Sequence, residues 1–177
     1  MKKSLLSLVA TAAIFVASNS YAVDSTNEVV VVDFQKVFME SAAGKDLNNK
    51  LEAQKKSFED SRNKKESELI KINEDLKKQQ SVLSGEAFEK KRKDFEVKVQ
   101  NFQQDLQADG MKFEKMKNNA LEQIEEATKK VISDIAADKK FKLVVSKNAV
   151  LFNSDDLDVS TEVLKKLDSK LKSVDLK

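Results

Sequence analysis

Folded back at Gly85, the chain lays its apolar residues onto one another. Leu83 meets Phe88, Leu76 meets Phe95, Ile72 meets Val99, Leu69 meets Phe102, Phe58 meets Phe113, Leu51 meets Ala120 and Leu47 meets Ile124, and each pair of residue numbers adds up to 171. A mirror of that kind has few physical solutions. It predicts one long antiparallel helical hairpin over residues 47–135, with a tip near residues 84–86 and two helices that close an apolar seam on each other.

The spacing within each half supports the helices. On the outgoing side the apolar residues fall at 47, 51, 58, 69, 72, 76 and 83, in steps that are multiples or halves of a heptad. The returning stripe is fuller, with Phe88, Phe95, Val99, Phe102, Leu106, Phe113, Met116, Ala120, Ile124, Ala127 and Val131. The chain contains no proline, so no backbone donor is missing and no helical turn is broken. Two helices of about 50 residues would each be roughly 70 Å long at 1.5 Å per residue, far beyond an average globular helix. Gln54, Arg62, Lys65 and Gln79 occupy interior positions of the outgoing helix. The mirror pairs Arg62 with Asp109 and predicts an interhelical ion pair there, while Gly110 beside it lowers helix stability by about 1 kcal/mol relative to alanine. This stretch is expected to be the weak, bendable part of the arm.

The two ends of the hairpin lose the heptad. Residues 29–34, including Val30, Val32 and Phe34, form a valine-rich run that reads as a short buried strand. A helical turn bearing Val37, Phe38 and Met39 and then small residues at 41–44 follow it. Beyond Ile135, Phe141, Leu143 and Val145 alternate as a strand does. Lys147 and Asn148 form a plausible turn, and residues 149–153, with Val150 and Phe152, supply a returning strand. Ser160 reads as the N-cap of a last amphipathic helix carrying Val163, Leu164, Leu167 and Leu171 on one face. The fold class is therefore α+β, mostly α, with a coiled-coil arm projecting from a small β body built from residues 23–46 and 136–177. Three short strands leave bare edges and a poor core, so self-association of this body is expected.

Residues 1–22 read as a leader rather than as fold. Lys2 and Lys3 make a positive start, residues 5–16 an apolar core too short to anchor in a bilayer, and Ser20, Tyr21 and Ala22 a small-residue cleavage site. Cleavage after Ala22 would export a protein with no lipidation cysteine. It would also remove two lysines and no acid from 32 basic and 30 acidic residues, leaving a mature chain of zero net charge. Bulk attraction to nucleic acid has no basis in that balance, and no nucleic-acid partner is expected.

Chemistry is poorly provided for. The chain has no histidine, no cysteine and three glycines, Gly44, Gly85 and Gly110, none of them in a phosphate-cradling loop. Glu125 and Glu126 are adjacent on a helix and point apart. No catalytic residue, metal site or cofactor is expected, and without cysteine neither disulfides nor thiolate zinc sites can hold an exported product together.

The ends carry a resemblance to a known family. Leu143-Val144-Val145, Asn148-Ala149-Val150, Phe152, Asn153-Ser154, Asp156 and Val163-Leu164-Lys165, with a weaker set at Val32, Phe34, Val37, Phe38 and Ala43-Gly44, resemble the Skp (OmpH) family of periplasmic chaperones. Between these ends the likeness is one of pattern: lysine- and glutamine-rich heptads around a central turn. The resemblance implies a homotrimer whose strands complete one body and whose three hairpins enclose a cavity. Unfolded outer-membrane β-barrel proteins would be held there without ATP on their way to assembly. It also implies that the strands holding Val30, Val32, Phe34, Leu143, Val145, Val150 and Phe152 are the trimerisation strands.

Two surfaces are left over by the seam. Ile70, Val82, Val97 and Met111 lie off it and are candidate client contacts, although scattered exposed apolar groups are also ordinary. Lys77, Lys78, Lys90, Lys91, Arg92 and Lys93 outnumber Glu86 and Glu89 at the tip. They form a basic end able to meet anionic lipid or lipopolysaccharide, or simply a solvated helix end. The zero net charge departs from the more basic character common in the family and weakens the case for lipopolysaccharide. Phe88, Phe95, Phe102 and Phe113 read as packing rather than binding. The rival reading is a structural adaptor whose hairpin docks end-on with another envelope protein, although such adaptors carry flanking β domains for which these ends leave no room.

Overall fold

The computed structural model describes residues 29–177; the expected leader lies outside the described residues. The order is β1 (Val29–Val32), α1 (Phe34–Glu40), α2 (Ala42–Gln79), α3 (Gly85–Lys139), β2 (Leu143–Ser146) and α4 (Ser160–Lys170), with 3-10 turns at Lys147–Ala149 and Asp155–Leu157. The expected α+β, mostly helical architecture is what the chain adopts. At 38 and 55 residues, α2 and α3 are roughly 57 and 83 Å long.

The seam follows the mirror. Leu47, Leu76, Met116, Ala120, Ile124 and Val131 are buried, and Leu51, Phe58, Leu69, Ile72, Phe95, Val99, Phe102 and Phe113 are half-buried. The rings of Phe58 and Phe113 meet edge to face with centroids 6.3 Å apart. At the tip, Ser84 caps α3 by accepting the amide of Ala87, and the turn between the helices occupies residues 80–84, just ahead of the expected position. The expected ion pair between Arg62 and Asp109 is corrected: among the described residues neither makes one. The interhelical bridge is instead Lys65 to Asp105, 2.7 Å, one turn nearer the tip. Lys65 is half-buried on the seam, so its ammonium reaches across, whereas Arg62 turns out to solvent. The Asp105 carboxylate raises the Lys65 pKa.

The root of the arm holds the core. Val32 from β1, Val37 from α1, Val131 and Ile135 from α3, and Val163 and Leu167 from α4 pack together, with Ala127, Phe141, Val144 and Val159 around them. β1 and β2 are parallel, with Val30 opposite Val144 and Val32 opposite Ser146. Val30, Val31 and Val32 are all buried, as expected of a parallel strand covered on both faces.

Three expectations at the root are corrected. Phe34 is not in a strand: the Asp33 carboxylate accepts the Lys36 amide at 2.9 Å and starts α1 there. Val150 and Phe152 are not in a returning strand either. The Val150 amide bonds to the Lys147 carbonyl at 3.3 Å within a 3-10 turn, and β2 runs alongside β1 instead of folding back. Ser160 does not cap α4. The Asp158 carboxylate takes the Ser160 amide at 2.9 Å, while the buried Ser160 hydroxyl donates to Asp158 and accepts the Asp33 amide at 2.7 Å.

A bend between α1 and α2 aims the arm. Ser41 caps α2 by accepting the Gly44 amide at 3.0 Å and donates its own hydroxyl to the Phe38 carbonyl at 3.0 Å. A Cβ on Gly44 would stand 1.8 Å from the Phe38 oxygen. Glycine is therefore required here by close approach rather than by an unusual φ.

Candidate functional site

A long helix pair in water has one face committed to its partner and the rest available. On α3 the committed face takes Phe95, Val99 and Phe102, and residues two positions off it must point away. Val97 and Met111 are such residues, 54% and 70% exposed. They stand two heptads apart and so face nearly the same way. Ile70 on α2 is 53% exposed, and Val82 in the tip turn is 79% exposed. Each of the four lies where the seam cannot use it.

A further apolar surface escaped the periodicity. Where Gly110 has no side chain and Arg62 faces solvent, the seam is underfilled. A groove of about 550 Å³ opens between the helices, lined by Phe58, Leu106, Gly110 and Phe113 and edged by Lys55, Glu59, Arg62, Asp109 and Glu114. Leu106 is 40% exposed there although its spacing assigns it to the interior. The signal was present in the sequence as a glycine beside a polar seam position.

The six basic residues at the tip are all exposed, but they are not equivalent. Arg92 is held between Glu89 at 2.7 Å and Glu96 at 2.6 Å, which raises its pKa and lowers that of Glu89. Lys91 donates to Gln79 across the hairpin at 2.6 Å, and Lys78 is 4.0 Å from Asp75. Lys77, Lys90 and Lys93 make no ion pair among the described residues. The outward positive charge of the tip is thus carried mainly by these three lysines and by Lys91, whose partner Gln79 is uncharged.

The residues expected to join subunits divide into two groups. Val30 and Val32 are already covered within the chain, at 1% and 0% exposure. Phe34, Leu143 and Phe152 are exposed, as are their neighbours Val29 and Leu151, while Val145 and Val150 are half-buried. Asp158, accepting from Ser160 and paired with Lys147 at 2.6 Å, joins the turn after β2 to the start of α4. Burial works to raise its pKa, but the bonds from Lys147 and Ser160 prevail and lower it to about 2.

Among the described residues, no helix is long and apolar enough to cross a membrane, and no group of three or more His, Cys, Asp or Glu is placed to hold a metal. A helical hairpin this long, standing on a root this small, defines a protein of the coiled-coil-armed class. Residues 11–167 match the sequence profile of the OmpH-like outer membrane protein family, and the chain belongs to that family. A crystal structure of an OmpH-like outer membrane chaperone from Caulobacter crescentus CB15 has the same fold. Its TM-score is 0.79 at 16% identity, over 84% of this chain and 88% of that one. No curated protein matches the chain.

Proposed function

We propose that the protein is an ATP-independent holding chaperone of the periplasm, which takes up unfolded outer-membrane β-barrel proteins, keeps them soluble and delivers them for assembly. Membership of the OmpH-like family and the fold shared with an OmpH-like outer membrane chaperone support this reading. The observation that carries it is the placing of Ile70, Val82, Val97 and Met111, each more than half exposed along an arm whose seam is closed by Leu47, Leu76, Met116, Ala120 and Ile124. Each such side chain, half covered by a client, contributes on the order of 1 kcal/mol. Several of them restrain a flexible chain without trapping it, so release needs no nucleotide. Methionine, unbranched and polarisable, suits a surface that must fit many sequences.

The working unit in this reading is a homotrimer. Covering Val29, Phe34, Leu143, Leu151 and Phe152 with neighbouring copies would complete the two-stranded sheet and leave three arms around a shared space. The tip lysines would supply a peripheral contact with anionic lipid. No catalytic step belongs to this function.

A light-scattering assay tests it. A urea-denatured outer-membrane β-barrel protein, diluted into buffer with stoichiometric trimer and no ATP, is expected to stay in solution. Aggregation as fast as without the protein would overturn the reading. Sedimentation velocity of the same sample reads the trimer from its mass and the arms from its frictional ratio; it requires interference optics, because residues 23–177 contain no Trp or Tyr.

A further inference from the structure

After α4 ends at Lys170 the chain lies across the root of the arm, contacting both long helices. The Val174 amide donates to Asp46 Oδ2 at 3.0 Å, and its carbonyl accepts from Lys50 Nζ at 2.6 Å. Asp46 and Lys50 stand one turn apart on α2 and are themselves paired at 2.8 Å. From α3, the side-chain amide of Gln123 accepts from the Asp175 N–H at 3.0 Å and donates to the Asp175 carbonyl at 2.9 Å. Asn119 Nδ2 donates to the backbone oxygen of Lys177 at 2.9 Å.

All of these bonds go to main chain. Two successive residues have both their N–H and their C=O taken by side chains, which is what a neighbouring strand does for one residue of an antiparallel pair. The groups therefore recognise an extended backbone and read little of its sequence. Side-chain recognition centres on Val174, with Leu176 packed against the same cluster. Val174 is 1% exposed, in a space that the small side chains of Ala43 and Ala120 leave between Leu47 and Ile124. Leu176 is half-buried on the same side, whereas Ser173, Asp175 and Lys177 face solvent, giving the in-out alternation of a strand.

We propose that the root of the arm is a binding groove for an extended peptide, held through its backbone, and that residues 173–177 occupy it in cis. The ligand class is an extended segment of alternating apolar and polar residues, with a small branched apolar side chain at the central position. One buried side chain and a few hydrogen bonds make a weak ligand when free. Tethering through α4 raises its effective concentration to the order of millimolar, which keeps the groove filled and yet open to exchange. The segment lies beyond residues 11–167, which match the family profile. It does not depend on the chaperone reading and would hold equally for an arm with another task.

Fluorescence anisotropy with a fluorescein-labelled peptide of residues 172–177 tests it. The peptide is titrated against the full chain, against the full-length variant Val174→Asp, and against a variant lacking residues 173–177. Both variants should bind the peptide at least about ten-fold more tightly than the full chain does, because their grooves are vacant. Gln123→Ala in the shortened variant should weaken that binding, and a peptide carrying Asp at the valine position should not bind. A peptide with alanine at the positions of Asp175 and Lys177 should bind as well as the parent. Variants that keep their helical circular dichroism but bind no peptide would overturn the proposal. Loss of helix in both variants would overturn it as well, by showing that the segment is core rather than ligand.

Discussion

The rings of Phe58 and Phe113 meet edge to face across the arm, centroids 6.3 Å apart and planes at 70°. Such pairs add about 0.5–1.5 kcal/mol to what burial alone contributes. The pair stands directly beside the place where Arg62 and Gly110 interrupt the seam. Phe113→Ala should therefore destabilise the arm by about 2 kcal/mol, less than a fully buried phenylalanine because the site is half open. Thermal melts by circular dichroism should show the loss, with client capture at low temperature unchanged. If capture fell while the melting temperature held, Phe113 would belong to the binding surface instead.

The three glycines separate into two roles. Gly44→Ala puts a carbon 1.8 Å from the Phe38 carbonyl oxygen, which is backbone and cannot swing away. The bend between α1 and α2 must then open, at a cost of at least about 3 kcal/mol. Gly85 and Gly110 have nothing within 4 Å of an added Cβ. There alanine should stabilise by about 0.5–1 kcal/mol through helix propensity alone. Chemical denaturation of the three variants checks the order. For Gly110→Ala, slower amide exchange between Arg62 and Gly110 would identify the glycine as the source of local weakness in the arm.

What could be read in advance follows from how far each interaction reaches along the chain. The seam was legible because Leu47, Leu76, Met116 and Ile124 obey a short period, and because a hairpin turns sequence distance into spatial height. The parallel pairing of β1 with β2 was not. Phe141, Leu143 and Val145 alternate, and Lys147-Asn148 imitates a hairpin turn, so local pattern favoured a fold-back that the distant partner Val29–Val32 overrode. The ion pair went to Lys65 because a side chain's reach, not its register alone, decides which carboxylate it meets. The segment after α4 gave no periodic signal, since its bonds to Asp46 and Lys50 join residues 128 and 124 positions apart. The off-seam residues Ile70, Val97 and Met111 were legible as a remainder of the seam, whereas the Leu106 groove required knowing that Arg62 turns outward.

At the tip, charge count and usable charge differ. Arg92 is already engaged by Glu89 and Glu96, so its contribution to an external anion is small compared with that of Lys90 and Lys93. Cosedimentation with vesicles rich in anionic lipid at low ionic strength should fall about ten-fold for the double variant Lys90→Gln, Lys93→Gln. Arg92→Gln should have a smaller effect, and neutral vesicles should bind neither. Binding that ignores salt and survives the double variant would remove the tip from any membrane contact.

Asp158 makes the root sensitive to acid. Its carboxylate accepts the amide and hydroxyl of Ser160 and faces Lys147 at 2.6 Å; these bonds outweigh the cost of burial and lower its pKa from 3.8 to about 2. A folded-state pKa below the unfolded one means that the unfolded chain binds the proton first. The stabilisation is therefore complete above about pH 4 and is lost as pH falls from about 4 towards 2, for a total of about 2 kcal/mol. In Asp158→Asn this part of the acid sensitivity should vanish while stability at pH 7 drops by a similar amount, because the carboxylate charge facing Lys147 is lost. Urea midpoints at pH 7, 4 and 2.5 for both proteins measure it. A wild type whose midpoint fell no more than that of the variant between pH 4 and 2.5 would show that the acid response of the root arises elsewhere.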